Sequence, residues 1–397
     1  MADLLFDITR LLSRGVKGRL PTGIDRVDLA YLAHFGAQAR AVLRIFEFPV
    51  VLSKRDSFRL FNSLVSFRSG ALSKILRAAS STLTTFGPSS EGSVYLNTGH
   101  SGLARQGFAR SLLRRGIRPV WMVHDLIPIT HPEYCRSGEE QRHRSRMRTA
   151  LQCASALIVN SRATESNLRR FAVSEGLETP LVQLAPLAPA LSLRGHRSSP
   201  LEVPYFLVVA TIEPRKNLAM LLQLWRRLVE AKGDRAPRLV VVGQRGWECE
   251  NVVDLLERSP QLKDFVIERG DCDDDELASW LAHARALLFP SFVEGYGLPL
   301  VEALQFGTPV IASDLPVFRE TARDIPEYLD PLDGVGWLAM IERYAEPDSG
   351  ARRAQLVRMQ GFRAPTWSDH FAIVDRLIAE LAERPAASAA AAQGLAR

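Results

Sequence analysis

Cysteine is scarce in this chain, and a membrane-length apolar run is missing from it. The four thiols, Cys135, Cys153, Cys249 and Cys272, are scattered through 397 residues with no metal-like spacing. That argues against a zinc knuckle or a disulfide framework and fits a reducing, cytoplasmic setting. No stretch of about 18 apolar residues occurs, so no transmembrane helix is expected. The opening MADLLFDITR holds acids where a secretory signal would hold bases, and export is not expected on that reading. No repeat of fixed period is seen, and the aromatic and basic interleaving of a base-stacking surface is not evident. What is present is an ordinary globular composition, 46% hydrophobic and 24% charged, in a length that suggests two domains, each with its own core.

Charge is divided unevenly. Residues 1–200 hold 28 Lys+Arg against 14 Asp+Glu, a surplus of 14, whereas the remainder holds 22 against 30, a deficit of 8. The basic half calls for a partner: an anionic membrane surface, a lipid diphosphate or a nucleic acid. Within it, Arg55 to Arg77, RDSFRLFNSLVSFRSGALSKILR, mixes apolar residues with bases as a segment lying in a bilayer interface would. A helix whose apolar stripe packs on its own domain gives the same pattern.

Short, continuously apolar runs predict strands at Ser93–Asn97, Val120–Val123, Ala156–Asn160, Tyr205–Ala210, Leu239–Val242, Ala286–Phe289 and Val310–Ser313. Strands of this type are covered on both faces, so the expected class is α/β, with two doubly wound, Rossmann-like parallel sheets. Helical patterns follow at Asn217–Lys232 and Asp274–Ala284. The proline-bearing stretch Leu184–Pro204 reads as a linker between domains at 1–190 and 200–365. A helix at 366–383 is expected to return to the first domain, and from about Arg384 the Ala-rich composition predicts a disordered tail. Two such domains would leave ligands in a cleft at the carboxyl ends of the strands.

Four constellations carry chemistry. In FPSFVEGYGLPLVEALQFGTPVIA, Glu294 and Glu302 stand eight positions apart around a helix expected from about Leu298 to Phe306, with Pro299 in its first turn and Gly307 past its end. Gly295 and Gly297 free the helix amides for a phosphate, and the two carboxylates accept hydrogen bonds from vicinal hydroxyls. In Ala210–Asn217, Arg215 and Lys216 sit at a strand-to-helix turn where adjacent cations suit a diphosphate, Arg215 as a fork and Lys216 as a point charge. Solvated bases are the blander reading of that pair. In WMVHDL, His124 and Asp125 follow a strand. They suit either a sugar hydroxyl and an acceptor or a structural pair. In PTGIDRV, Gly23 opens an amphipathic helix, fit for an anion or for a plain cap.

Taken in order, TGIDR, VHDLIP, IVNSRAT, EPRKN, VVGQRGW, FPSFVEGYGLPLVEAL and GTPVIASDLPVFRE resemble the retaining family 4 glycosyltransferases of the GT-B fold. That family includes many bacterial polysaccharide and lipopolysaccharide mannosyl- and glucosyltransferases. The resemblance covers nearly the whole chain. The Glu-x7-Glu segment with GYGLP is its most specific part and TGIDR is weaker, since Thr22-Gly23 stands where many relatives carry two glycines. It implies that Glu294 contacts the donor sugar, Glu302 the ribose, Arg215 and Lys216 the diphosphate, and that His124 lies beside the transferred sugar. Gly23, Glu213, Gly295, Tyr296, Gly297 and Leu298 join them as expected donor contacts, and Asp125 and Arg26 as expected acceptor contacts.

The resemblance further implies metal-independent transfer with retention, without a resident cofactor. That agrees with the absence of an Asp-x-Asp motif beside a strand end. GDP-mannose is the first donor expected and a UDP-sugar the second. A saccharide or polyprenyl-linked acceptor is expected, with a peripheral position on the cytoplasmic leaflet. A glycoside hydrolase would use two carboxylates but would not need Arg215 and Lys216. A nucleic-acid binder would not explain the acidic second half, and an epimerase of the same fold would act without acceptor.

Overall fold

A computed structural model describes residues 3–16, 23–45, 48–65, 90–191 and 198–384. It contains two compact units, one comprising residues 1–129, 138–187 and 366–397, the other residues 130–137 and 188–365. The sheet of the first unit is built from β1 (Leu4–Asp7), β2 (Ala39–Ile45), β3 (Phe48–Val51), β4 (Val94–Asn97), β5 (Arg118–Val123), β6 (Ala156–Val159) and β7 (Leu181–Leu184), in the order β3-β2-β1-β4-β5-β6-β7. That of the second is built from β8 (Tyr205–Val209), β9 (Arg238–Val242), β10 (Val266–Arg269), β11 (Leu287–Phe289), β12 (Val310–Ser313) and β13 (Glu327–Leu329), in the order β10-β9-β8-β11-β12-β13. Strand order reverses beside β1 and again beside β8, which opens a crevice at the carboxyl ends of the strands in each sheet.

Each strand expected from the sequence is present, with ends displaced by at most two residues. The parallel expectation needs one correction: β3 runs antiparallel to β2, pairing Val42 with Val51 and Leu43 with Val50. The strands that the apolar pattern missed include all four sheet edges, β3, β7, β10 and β13. An edge strand is half exposed and so lacks the unbroken apolar run, as VIER and EYL illustrate with their partly buried residues. The interior strands β4, β6 and β12 are buried along their whole length.

Separate cores hold the units. In the first, Tyr95, Trp121, Met147, Leu157 and Leu168 pack together. In the second, Phe206, Trp225, Leu239 and Trp337 do so. Side chains of this size each contribute roughly 1.5–3 kcal/mol when fully buried. The indole N–H groups stay satisfied, Trp225 donating to the Pro237 carbonyl at 2.9 Å and Trp337 to that of Asp330 at 3.0 Å. The helix Trp367–Glu383 belongs to the first unit. His370 on that helix donates through Nδ1 to the Pro186 carbonyl at 2.9 Å, so its Nε2 accepts from the Tyr31 hydroxyl at 2.7 Å. Burial holds this imidazole down to about 4, and it stays neutral near pH 7.

Two expectations change. The helix Lys54–Val65 turns Leu60, Phe61 and Leu64 into the core of its own unit, leaving Phe58 and Val65 about half exposed. Over these residues the apolar stripe is domain packing, while the rest of the segment, including Arg68, Lys74 and Arg77, lies outside the described residues. Leu184, placed in the linker by its neighbouring prolines, completes β7. Ala185, Leu187, Ala188 and Leu191 beyond it are buried. The tail expected from about Arg384 also lies outside the described residues, apart from Arg384 itself.

Gly243, at the end of β9, adopts φ +152°, and a Cβ there would meet the Ala210 carbonyl oxygen at 1.9 Å. Backbone cannot rotate away as a side chain would, so Gly243→Ala should destabilise the protein by roughly 3 kcal/mol or more. Gly138→Ala, also at positive φ but with open space around it, should cost only about 1 kcal/mol. Denaturant melts of the two variants compare them directly, and equal midpoints would contradict this account of the β8–β9 contact.

Candidate functional site

In the second unit, two loops at the carboxyl ends of adjacent strands β8 and β11 are tied together. After β8 the chain passes Ala210–Glu213, makes a tight turn at Pro214–Lys216, and enters the helix Leu218–Lys232 through Asn217 at φ +54°. The Asn217 side chain donates to the Pro331 carbonyl at 2.8 Å, which fixes that left-handed residue. The loop after β11 lies against this turn. The Phe292 N–H donates to the Arg215 carbonyl at 2.9 Å, and Arg215 Nη1 donates to the Val293 carbonyl at 3.2 Å.

This zipper brings together four charged side chains that are dispersed in the sequence. Glu294 accepts from Arg215 Nη1 at 2.8 Å, from the Ser291 hydroxyl at 2.8 Å and from the Lys216 ammonium. Glu213 pairs with Arg215 Nε at 2.5 Å. The side chains of Glu213, Glu294 and Lys216 are almost wholly buried, whereas Arg215 keeps about a fifth of its surface open. Burial alone would raise Glu294, but the Arg215 guanidinium and the Lys216 ammonium outweigh it and hold the carboxyl down to about 2. Lys216 is shifted downward by burial and by Arg215, and Glu213 upward by burial. Two cations against two carboxylates make the network neutral, a ready receptor for an anion that displaces or shares one carboxylate.

Next to it stands the helix Leu298–Gln305, capped by Gly297 at φ +94° and carrying Pro299 in its first turn. A Cβ on Gly297 would come 2.7 Å from the Phe318 ring, so the close approach of ring and backbone requires glycine here. Tyr296 is buried, and Gly295 and Leu298 flank the same turn. Glu302 is buried inside the helix, one of its oxygens 3.3 Å from the Ala190 N–H. Glu294 and Glu302 are thus held by different partners, and the Arg215–Lys216 pair belongs with the first. One sequence reading is overturned. An Asp-x-Asp does follow a strand end, Asp271-Cys272-Asp273 after β10, which escaped notice because β10 itself was not expected. Asp273 caps the helix Asp274–His283, accepting from the Glu276 N–H at 2.8 Å, and no group of three or more potential metal ligands occurs among the described residues.

The remaining candidates belong to the first unit and surround the ends of β1, β4 and β5. His124 Nε2 lies 2.7 Å from the Thr98 carbonyl, which can only accept, so the proton sits on Nε2 and Nδ1 is an acceptor. Burial lowers His124, and the imidazole is neutral near pH 7. Its backbone carbonyl is gripped by the Asn160 amide at 3.0 Å and the Thr164 hydroxyl at 3.2 Å. Asp125 caps the next turn, accepting from the Ile127 N–H at 3.0 Å. Gly23 begins the helix Gly23–Phe35, whose Asp25 pairs with Arg10 at 3.2 Å and Arg14 at 2.6 Å, and Arg26 is half-buried in its first turn.

Sequence reasoning missed Ser291, although it lies within FPSFVEGYGLPLVEAL, and Thr98 and Asp28, which lie outside the motifs read, because only the fold brings them to their partners. The basic surplus of the first half also proves partly internal. Arg142, Arg144, Arg146 and Arg148 pair with Glu139, Glu140 and Glu175.

Comparison with known proteins agrees with this placement. The family model described as Glycosyl transferases group 1 matches residues 193–325, which span both loops and the helix Leu298–Gln305. Over 266 residues the chain is 30% identical to the serotype-specific mannosyltransferase WbdA of Escherichia coli, covering 60% of this chain and 32% of that one. Over 239 residues it is 30% identical to the O-antigen chain mannosyltransferase B of Escherichia coli, covering 58% and 62%. The chain therefore spans about a third of the first relative and three fifths of the second. Among solved structures, HepE of Anabaena in complex with UDP and glucose aligns with a TM-score of 0.66 at 16% identity, over 97% of this chain and 100% of that chain. Sucrose-phosphate synthase from Thermosynechococcus elongatus aligns with a TM-score of 0.60 at 17% identity, over 96% and 99%. At these identities the likeness is one of fold.

The depressed Glu294 carboxyl has a consequence for acid stability. Its folded value lies below the ordinary 4.5, so the stability it contributes is present above pH 4.5 and is lost as pH falls toward about 2. Glu294→Gln should flatten the fall in melting temperature between those limits. An unchanged acid limb would mean that the ion pairs do not form in solution.

Proposed function

The chain belongs to the glycosyl transferases group 1 family, with the GT-B fold, and on that premise we propose that it is a retaining hexosyltransferase acting in cell-surface polysaccharide synthesis. Mannose from GDP-mannose is the sugar proposed, and a saccharide or lipid-linked saccharide the acceptor. The observation that supports the reading is the neutral Glu213–Arg215–Lys216–Glu294 network beside the glycine-capped helix Leu298–Gln305. The mannosyltransferase names of the relatives support the choice of sugar.

In this reading the donor's diphosphate takes Arg215 and Lys216 as its counter-cations, and the amides at Gly297 and Leu298 face its remaining charge. Glu294, relieved of part of its ion pairing, accepts from hydroxyls of the hexose, while Glu302 accepts from the ribose. The bond from the anomeric carbon to the diphosphate oxygen breaks as the bond to the acceptor oxygen forms on the same face. The acceptor proton passes to the departing phosphate oxygen. The cations stabilise the charge that grows there, and no side chain need act as general base. In the first unit His124, with Nδ1 as acceptor, takes a hydroxyl of the transferred sugar. Asp125 and Arg26 are proposed acceptor contacts, and Gly23 a donor contact, on motif position alone.

A thermal-shift screen of GDP- and UDP-sugars tests the donor. GDP-mannose at about a hundredfold its Kd should stabilise the fold by about 2.7 kcal/mol, and Lys216→Met should abolish the shift. Transfer of labelled mannose by Lys216→Met or Arg215→Met should fall by about 10²–10³ in kcat/KM. A response to UDP-sugars alone would remove mannose from the proposal, and no response to any nucleotide sugar would remove the transferase reading.

A further inference from the structure

The helix Gly23–Phe35, which opens within TGIDR, carries two buried carboxylates, and they serve different neighbours. Asp25 takes Arg10 and Arg14. Asp28, 3% exposed, accepts from the Thr98 hydroxyl at 2.5 Å. Thr98 follows β4, in the crevice where the strand order of the first sheet reverses, and its carbonyl takes the Nε2 proton of His124 at 2.7 Å. The loop has no slack at this point. Gly99 donates its N–H to the Asn97 side chain at 3.1 Å, and a Cβ on Gly99 would stand 3.2 Å from Asp28 and 2.9 Å from Arg10.

We propose that Asp28 is a positioning residue for His124: by holding the Thr98 hydroxyl it fixes the Thr98 carbonyl, which in turn fixes the imidazole as its Nε2–H tautomer with Nδ1 turned to substrate. A carbonyl cannot donate, so whichever ring nitrogen faces Thr98 must carry the proton. The opposite nitrogen then receives a sugar hydroxyl only while residue 98 stays in place. Asp28 touches no reacting atom and acts through two hydrogen bonds, as outer-shell carboxylates orient histidines at metal centres. The consequence for turnover rests on the proposed contact between His124 and the transferred sugar. The linkage itself does not.

Two readouts separate these. ¹⁵N NMR of histidine-labelled protein reports the His124 tautomer without any substrate. Wild type and Asp28→Asn, which retains an oxygen for Thr98, should show the Nε2–H form. Asp28→Ala and Thr98→Val should show mixed tautomers, and Thr98→Val carries the test if Asp28→Ala does not fold. A fixed Nε2–H tautomer in a folded Asp28→Ala or Thr98→Val variant overturns the proposal. With GDP-mannose as donor, each disrupting variant should lower kcat about tenfold with KM little changed, and the double variant should be no worse than the poorer single. Additive losses would overturn the linkage as well. A His124→Ala variant with undiminished transfer would instead remove the sugar contact and leave the tautomer result to judge Asp28.

Discussion

The second unit is organised around the pairing of Glu294 with Arg215 and Lys216. Three buried charges in a crevice are costly unless each has a partner, and here the partners come from loops almost eighty residues apart in sequence. The fold supplies the means. Strands β8 and β11 are neighbours across the reversal of strand order, so the turn after one and the loop before the helix Leu298–Gln305 meet edge to edge. The hydrogen bonds between Phe292, Val293 and Arg215 complete the junction. Without that junction the cations would be two solvated side chains at a helix start.

The pairing also gives a physical account of how a single carboxylate would serve the proposed transfer. In the absence of donor, Glu294 keeps two cations oriented and desolvated. In the proposed function, an arriving diphosphate gives the same cations a stronger anion and releases the carboxylate to the hydroxyls of the sugar. Binding is then an exchange of partners within a neutral network, which avoids burying an unpaired charge at any stage. The first unit uses its buried polar groups otherwise. There Asp28, Thr98 and His124 are tied to one another by hydrogen bonds, while Asp25 on the same helix pairs with Arg10 and Arg14, an arrangement suited to holding a neutral imidazole in one orientation.

Much of this was legible in the sequence, and the losses have physical causes. Interior strands such as β4, β6 and β12 announced themselves because both of their faces are covered, whereas edge strands such as β10 and β13 carry charges; the interior strands β1 and β2 went unread as well. Missing β10 also hid the Asp-x-Asp spelling that follows it. The helix Leu298–Gln305 was readable from proline in its first turn and glycine beyond its end, because both residues answer local backbone demands. Residues in motifs, such as Glu294, Arg215 and His124, were named. Their connections were not, since spacing along a chain does not say that Arg215 reaches Glu294 or that Asp28 reaches Thr98. The basic segment from Arg55 left two readings open for a related reason: an amphipathic stripe has the same period whether it faces lipid or its own core, and Leu60, Phe61 and Leu64 face the core.

Calorimetry of GDP binding to wild type and Glu294→Gln tests the exchange most directly. The substitution removes the carboxylate charge that Arg215 and Lys216 share and leaves Arg215 paired with Glu213. The account predicts that Glu294→Gln binds GDP more tightly than wild type while transferring mannose from GDP-mannose more slowly. Equal or weaker GDP binding by the variant would contradict the claim that Glu294 and the diphosphate share the same two cations.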